Sequence, residues 1–170
     1  PYTTLFRSGY DDLGRETLDK IYARVFGASS ALVRIGFVNG THAIMSAVFA
    51  AVRPGDTLLA VMGPPYDTLR TAIGASKDVF GSLSFYGVNY AEVPVAEDGG
   101  PDYKAISAAV REVSPAAVLI QRSRGYAARR ALFIDEIEKL CRLIRSEKPD
   151  IRIVVDNCYG EFVEDREPAA

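Results

Sequence analysis

Short, strongly apolar runs alternate with stretches whose apolar residues recur every three or four positions, and the links between them are brief. This alternation constrains the fold more than any other feature. Ala116–Gln121 and Ile151–Val155 are too short for a packed helix and too uniformly apolar for a half-exposed strand, so they fit strands buried on both faces. Tyr103–Val113 and Ile134–Ser146 carry helical spacing, with Ile134, Ile137, Leu140, Cys141 and Ile144 on one face of the second. Strand and helix in steady succession imply an α/β domain of three layers, α/β/α, around a mostly parallel sheet.

The rest of the chain continues the pattern. Asp11 or Asp12 can cap a helix bearing Leu18, Ile21, Tyr22, Val25 and Phe26, which Gly27 ends. Ala31–Phe37 is a short strand candidate. Asn39-Gly40-Thr41 opens a helix from about His42 to Val52, closed by Arg53-Pro54-Gly55-Asp56. Thr57–Met62 reads as a buried strand, Gly63-Pro64-Pro65 as a rigid turn and Tyr66–Ile73 as a helix. Gly81–Gly87 is a less regular connection, and Asn89–Val95 is a strand. Arg122–Arg130 is a polar, basic loop.

Composition removes several classes of function. The net charge of -2 predicts no nucleic-acid partner. Cys141 and Cys158 are too few for a disulfide framework, and with a single histidine they predict no zinc site. No apolar run reaches membrane-spanning length, and no secretion signal is evident, so the cytoplasm is the expected location.

In parallel sheets ligands sit beyond the carboxyl ends of the strands. That rule selects Asn39–His42, Gly63–Asp67, Gln121–Tyr126 and Asp156–Glu161. Asn39-Gly40-Thr41-His42 is either an ordinary helix cap or an anion seat, because free amides at a helix start serve both. Tyr66, after a rigid turn, is either a core aromatic or a platform for a flat ligand. Asp156 ends a very apolar strand, where a carboxylate needs a partner. A protonated ring nitrogen, a metal ion or a helix start would each serve. Arg122-Ser123-Arg124-Gly125-Tyr126 either binds a phosphate or carboxylate or is a solvated loop. There is no G-x-G-x-x-G and no G-x-x-x-x-G-K-[ST], and His42 has no G-x-S-x-G to work with.

Taken in order, the segments GYDDLGRETL (Gly9–Leu18), NGTHA (Asn39–Ala43), RPGD (Arg53–Asp56), GPPYDTL (Gly63–Leu69), IQRSRGYAAR (Ile120–Arg129) and VDNCYGEF (Val155–Phe162) resemble the methionine gamma-lyase-like proteins of the aluminium-resistance family. These are fold-type-I enzymes that use pyridoxal 5'-phosphate. The resemblance implies that Gly40, Thr41 and His42 bind the cofactor's phosphate through backbone amides. It implies that Tyr66 stacks on the ring and that Asp156 pairs with the pyridine nitrogen. Asn157 and Tyr159 shape the pocket beside it. Ser123 and Arg124 fall in the loop passing the ring's hydroxyl side, with Arg122 and Tyr126 as further candidate contacts. Tyr10 and Arg15 belong to a motif that reaches a neighbouring subunit's phosphate.

The implied activity is carbon–sulfur lysis of a sulfur amino acid, in a homo-oligomer, dimeric or tetrameric. Transamination and a non-catalytic binding module that uses Arg122–Arg130 are the alternatives. The family's Schiff-base lysine lies beyond the VDNCYGEF segment. Lys20, Lys77, Lys104, Lys139 and Lys148 match no family lysine, so this chain is expected to be inactive by itself. Pro1–Ser8 matches a translated sequencing adapter and is set aside. Residues 9–170 are then expected to be an incomplete large domain of a longer protein.

Overall fold

The computed structural model describes residues 12–76 and 79–169. Pro1–Ser8, Tyr10 and Lys77 therefore lie outside the described residues. The first helix, α1 (Leu13–Val25), starts on Asp12, whose carboxylate accepts from the amides of Gly14 and Arg15 at 3.0 and 3.2 Å. Helix α2 (Gly40–Ala51) starts on Asn39. Then follow β1 (Thr57–Ala60), α3 (Asp67–Ile73), β2 (Asn89–Glu92), α4 (Tyr103–Val113), β3 (Ala117–Gln121), α5 (Ile134–Glu147) and β4 (Arg152–Asp156).

The strands form one four-stranded sheet in the order β2-β1-β3-β4, with every pairing parallel. Side chains alternate across it, as the strand period requires. Leu58, Ala117 and Leu119 meet Met45 and Val48 of α2 and Leu69 and Ile73 of α3. Leu59, Val118 and Ile120 meet Ile106 and Val110 of α4 and Ile137, Leu140 and Ile144 of α5. Both faces are thus covered, which gives the three layers that the sequence predicts. Fully burying each such side chain stabilises the fold by about 1.5–3 kcal/mol.

One expected element is absent. Ala31–Phe37 forms no strand. The Val33 amide donates to Asp19 Oδ1 at 2.8 Å, and the Arg34 guanidinium grips both oxygens of the same carboxylate. Ile35 is 99% exposed. With the Val33 amide held by a side chain and no described strand beside it, the apolar run stays irregular.

From β1 the chain moves outward to β2, then crosses back to place β3 and β4 on the other side. The reversal lies between β1 and β3, and it opens a crevice at the carboxyl ends of those strands. Gly63-Pro64-Pro65-Tyr66 leaves β1 there. Gln121 ends β3 and Asp156 ends β4 as direct cross-strand partners.

Candidate functional site

The crevice holds a cleft of about 260 Å³ between the start of α2 and the ends of β3 and β4. Gly40 and Thr41 form one wall, Tyr66 a second, and Gln121 and Asp156 the floor. Ser123, Tyr126 and Tyr159 stand around it. The structure therefore brings together Gly40, Thr41, Tyr66, Ser123, Tyr126, Asp156 and Tyr159, which are far apart in the chain.

At the start of α2, Asn39 Oδ1 accepts from the His42 amide at 2.9 Å. The amides of Gly40 and Thr41 have no partner among the described residues and remain available to an anion. His42 itself is exposed and stands outside the cleft. Its Nδ1 accepts from the Val38 amide at 3.4 Å, and its ring meets Phe37 edge-on.

The Thr41 hydroxyl is 3.0 Å from the Tyr66 hydroxyl and 3.3 Å from that of Thr68. This contact ties the wall made by α2 to the wall made by the turn after β1. Burial pushes the Tyr66 phenol's pKa up, the Thr41 contact offsets part of that, and the charge of Asp156 adds to it. Tyr66 is therefore neutral at ordinary pH.

Asp156 is 4% exposed. Its one hydrogen bond comes from the Cys158 amide to Oδ1 at 3.1 Å. Burial raises its pKa above the ordinary carboxylate value, and Glu161 adds to the rise. The Cys158 amide and the Arg129 cation pull the other way. Beside it, Gln121 is equally buried. Its Nε2 donates to the Ser123 carbonyl at 3.4 Å, while its Oε1 is buried without a partner among the described residues. Gln121 and Cys158 also line the site; both lie in the strand-end segments selected from the sequence, but neither was given a role of its own there. The available signal was a polar residue closing an apolar run, and a backbone amide two positions after Asp156.

Several candidates fall elsewhere. Arg122 is buried and turns inward. Its Nε donates to the Leu132 carbonyl, its Nη1 to Asn157 Oδ1 and the Gly160 carbonyl, and its Nη2 to Glu164 Oε1. Gly160 leaves room for it: a Cβ there would stand 2.5 Å from Arg122 Nη1. Asn157 also donates to Glu167 Oε2 at 2.9 Å. Both residues brace the segment after β4 and do not line the cleft. Arg15 pairs with Asp12 on α1 at 3.5 Å. Arg124 is exposed and lines a neighbouring cleft. Among the described residues, no group of three or more His, Cys, Asp or Glu could hold a metal ion, and no helix is long and apolar enough to cross a membrane.

Comparison with known proteins agrees with this architecture. The sequence model of the methionine gamma-lyase family matches residues 2–170. Protein YnbB of Bacillus subtilis (strain 168) is 45% identical over 161 residues, which are 94% of this chain and 38% of YnbB. A carbon–sulfur lyase involved in aluminium resistance from Clostridium novyi NT is 44% identical, with a TM-score of 0.89, over 99% of this chain and 41% of that one. The pyridoxal-5'-phosphate-dependent protein YhfS from Escherichia coli shares the fold at 24% identity and a TM-score of 0.59, over 84% of this chain and 33% of that one. The chain thus spans about two fifths of the length of YnbB and of the Clostridium novyi lyase. With the family match running across almost all of it, this chain belongs to the methionine gamma-lyase family.

Proposed function

We propose that the longer protein to which this chain corresponds is a pyridoxal-phosphate-dependent carbon–sulfur lyase acting on a sulfur amino acid. The carrying observation is Asp156, a buried carboxylate with one hydrogen bond, facing a cleft whose opposite wall is a helix start with two unpartnered amides. A buried carboxylate with a single hydrogen bond gains from a further cationic or N–H partner. A protonated pyridine nitrogen is both, and a phosphate suits the Gly40 and Thr41 amides. The residues present therefore fit the cofactor.

When bound, pyridoxal phosphate supplies an electron sink for the α-carbon of an amino acid. Gly40 and Thr41 would anchor its phosphate. Asp156 would keep its ring nitrogen protonated. Tyr66 would lie against the ring with its hydroxyl steadied by Thr41, and Tyr126 and Tyr159 would limit water at the mouth. No lysine among the described residues lines the cleft. Lys20 and Lys104 lie on α1 and α4, Lys139 sits over the Tyr103 ring at 3.9 Å, and Lys148 bonds Ser114 and the Pro115 carbonyl. With no lysine among the described residues at the cleft to accept the α-proton, we expect this chain by itself to bind the cofactor without covalent attachment and not to turn over. The same reading makes the assembled protein a homo-oligomer.

Absorbance titration of the chain with pyridoxal phosphate tests this. Saturable binding is expected, weakened at least tenfold by Asp156→Asn, with no adduct fixed by borohydride. Absence of a cofactor band from both the chain and the full-length gene product would overturn the proposal. Release of pyruvate or 2-oxobutyrate from a sulfur amino acid by the pure chain would overturn the inactivity.

A further inference from the structure

Just past β4 the chain makes a turn in which a tyrosine takes a backbone conformation that suits glycine. Tyr159 has a φ of 67°, and Phe162 soon after has a φ of 60°. A bulky L residue is rare in that region and persists only where its surroundings over-determine it. The turn is Asn157–Gly160, closed by the Gly160 amide on the Asn157 carbonyl at 2.8 Å. Its two inner residues, Cys158 and Tyr159, line the cofactor cleft, and the Cys158 amide is the donor to Asp156.

Arg122 holds this turn from both ends. Its backbone amide donates to the Asp156 carbonyl at 3.0 Å, directly before the turn. Its Nη1 donates to Asn157 Oδ1 and to the Gly160 carbonyl, both at 2.7 Å, and so grips the first and last residues. Nε and Nη2 anchor the guanidinium to the Leu132 carbonyl and to Glu164, which also accepts from the Ile134 amide at the start of α5. Arg122 is only 4% exposed, and a planar fork buried among these acceptors has little freedom to shift. The turn is shaped around it, since a Cβ at Gly160 would also stand 2.6 Å from Arg122 Cδ. Glu167 secures the far side, accepting from the Phe162 amide at 2.7 Å and from Asn157 Nδ2 at 2.9 Å.

An ion pair with Glu164 alone would satisfy the charge of Arg122. The grip on both ends of a strained turn does more, because it fixes the two residues between. We infer that Arg122 is a positioning residue for the cleft: by clamping Asn157 and Gly160 it holds the Cys158 amide on the Asp156 carboxylate and Tyr159 at the rim. The hold on Asp156 stands on this geometry alone. Its consequence for cofactor binding rests on the function proposed above.

The test follows the Cys158 amide and the Asp156 carboxyl by NMR across a pH titration of the chain without ligand. Arg129, Glu161, the Cys158 thiol and the Tyr66 phenol also face Asp156, and the variants below leave all four in place. In the wild type the Cys158 amide should move in step with the ionisation of Asp156. If it does not, the proposal falls whatever the variants do. Gly160→Ala displaces the guanidinium, and Arg122→Lys keeps the charge but loses the fork. In each, the Cys158 amide should stop following Asp156, and the Asp156 midpoint should move to higher pH as the carboxylate loses its donor. Leu119→Ala, which weakens the sheet away from the turn, should leave both readouts at their wild-type values. Wild-type readouts in Gly160→Ala, or equal changes in Leu119→Ala, overturn the positioning role. If Arg122→Lys does not fold, Gly160→Ala and the wild type decide. Pyridoxal phosphate affinity should fall about threefold or more in Gly160→Ala, the worth of one hydrogen bond. Unchanged affinity with the Cys158 bond lost overturns the consequence for the cofactor. A wild type that shows the coupled titration yet binds no cofactor removes the lyase reading and leaves the clamp standing.

Discussion

The middle of β3 and the adjoining ends of β3 and β4 differ sharply. In β3, Ala117, Val118, Leu119 and Ile120 are buried among apolar neighbours from both helix layers. One step further, Gln121 and Asp156 are just as buried, yet each keeps hydrogen-bonding capacity unused. The first region is arranged for stability. The second carries a desolvation cost of about 1–3 kcal/mol per unsatisfied group without a return inside the chain. Native proteins leave few buried polar atoms unpaired, so a cluster of them at one strand end marks where a ligand is expected.

Four substitutions probe this contrast. Leu119→Ala, in the middle of the sheet, should lower stability by about 2–5 kcal/mol, read as a shift in the urea midpoint. At the strand end the sign should reverse. Gln121→Leu should raise stability by about 1 kcal/mol by removing the orphan acceptor, while weakening cofactor binding. A loss of stability there would erase the distinction between the two regions.

Asp156→Asn should give a smaller, pH-graded version of the same gain, because the carboxylate keeps one hydrogen bond and a nearby cation. Its folded pKa lies above the ordinary value of 3.8. Below 3.8 the carboxyl is protonated in both states, and the two proteins should be equally stable in this respect. As pH rises, the unfolded chain ionises first and draws the wild type toward unfolding, until the folded carboxyl also ionises. The advantage of Asp156→Asn should therefore grow above pH 3.8 and then level off, as urea midpoints across that range will show. The smallest effect belongs to a region outside both. Ile21→Ala, on a helix with no buried residue, should change stability by no more than about 0.5 kcal/mol.

Layer order, parallel pairing and most helix positions were legible in the sequence because apolar spacing reports burial directly. Tyr103–Val113 appears with the same boundaries in both. Ala31–Phe37 misled because its composition suits a strand, while the Asp19 carboxylate that satisfies its backbone lies a helix away. Four of the candidate residues converge on one cleft: Tyr66 and Asp156 because they follow β1 and end β4, Gly40 and Thr41 because they start α2. The place of Arg122 was not legible, since nothing in a run of basic residues says which one turns inward. The segment Arg122–Arg130 holds an exposed Arg124, a fully engaged Arg122 and a buried Arg129 whose Nε has no partner among the described residues. Only the packing of the loop against β1 and the segment after β4 separates them.

The parallel register also sets an order of events. A parallel strand pair needs a crossover, so none of these pairings can form from a local hairpin. β3 can join β1 only after the chain between them has been made, and β4, the latest of the four described strands in chain order, carries Asp156 to a wall laid down by α2. The cleft therefore has no partial form. A chain emerging from synthesis can acquire its helices early, but it gains the means to hold a ligand in this cleft only when β4 docks. Ligand binding then reports that β4 has docked and rewards it, since whatever fills the cleft stabilises only a chain with that strand in place.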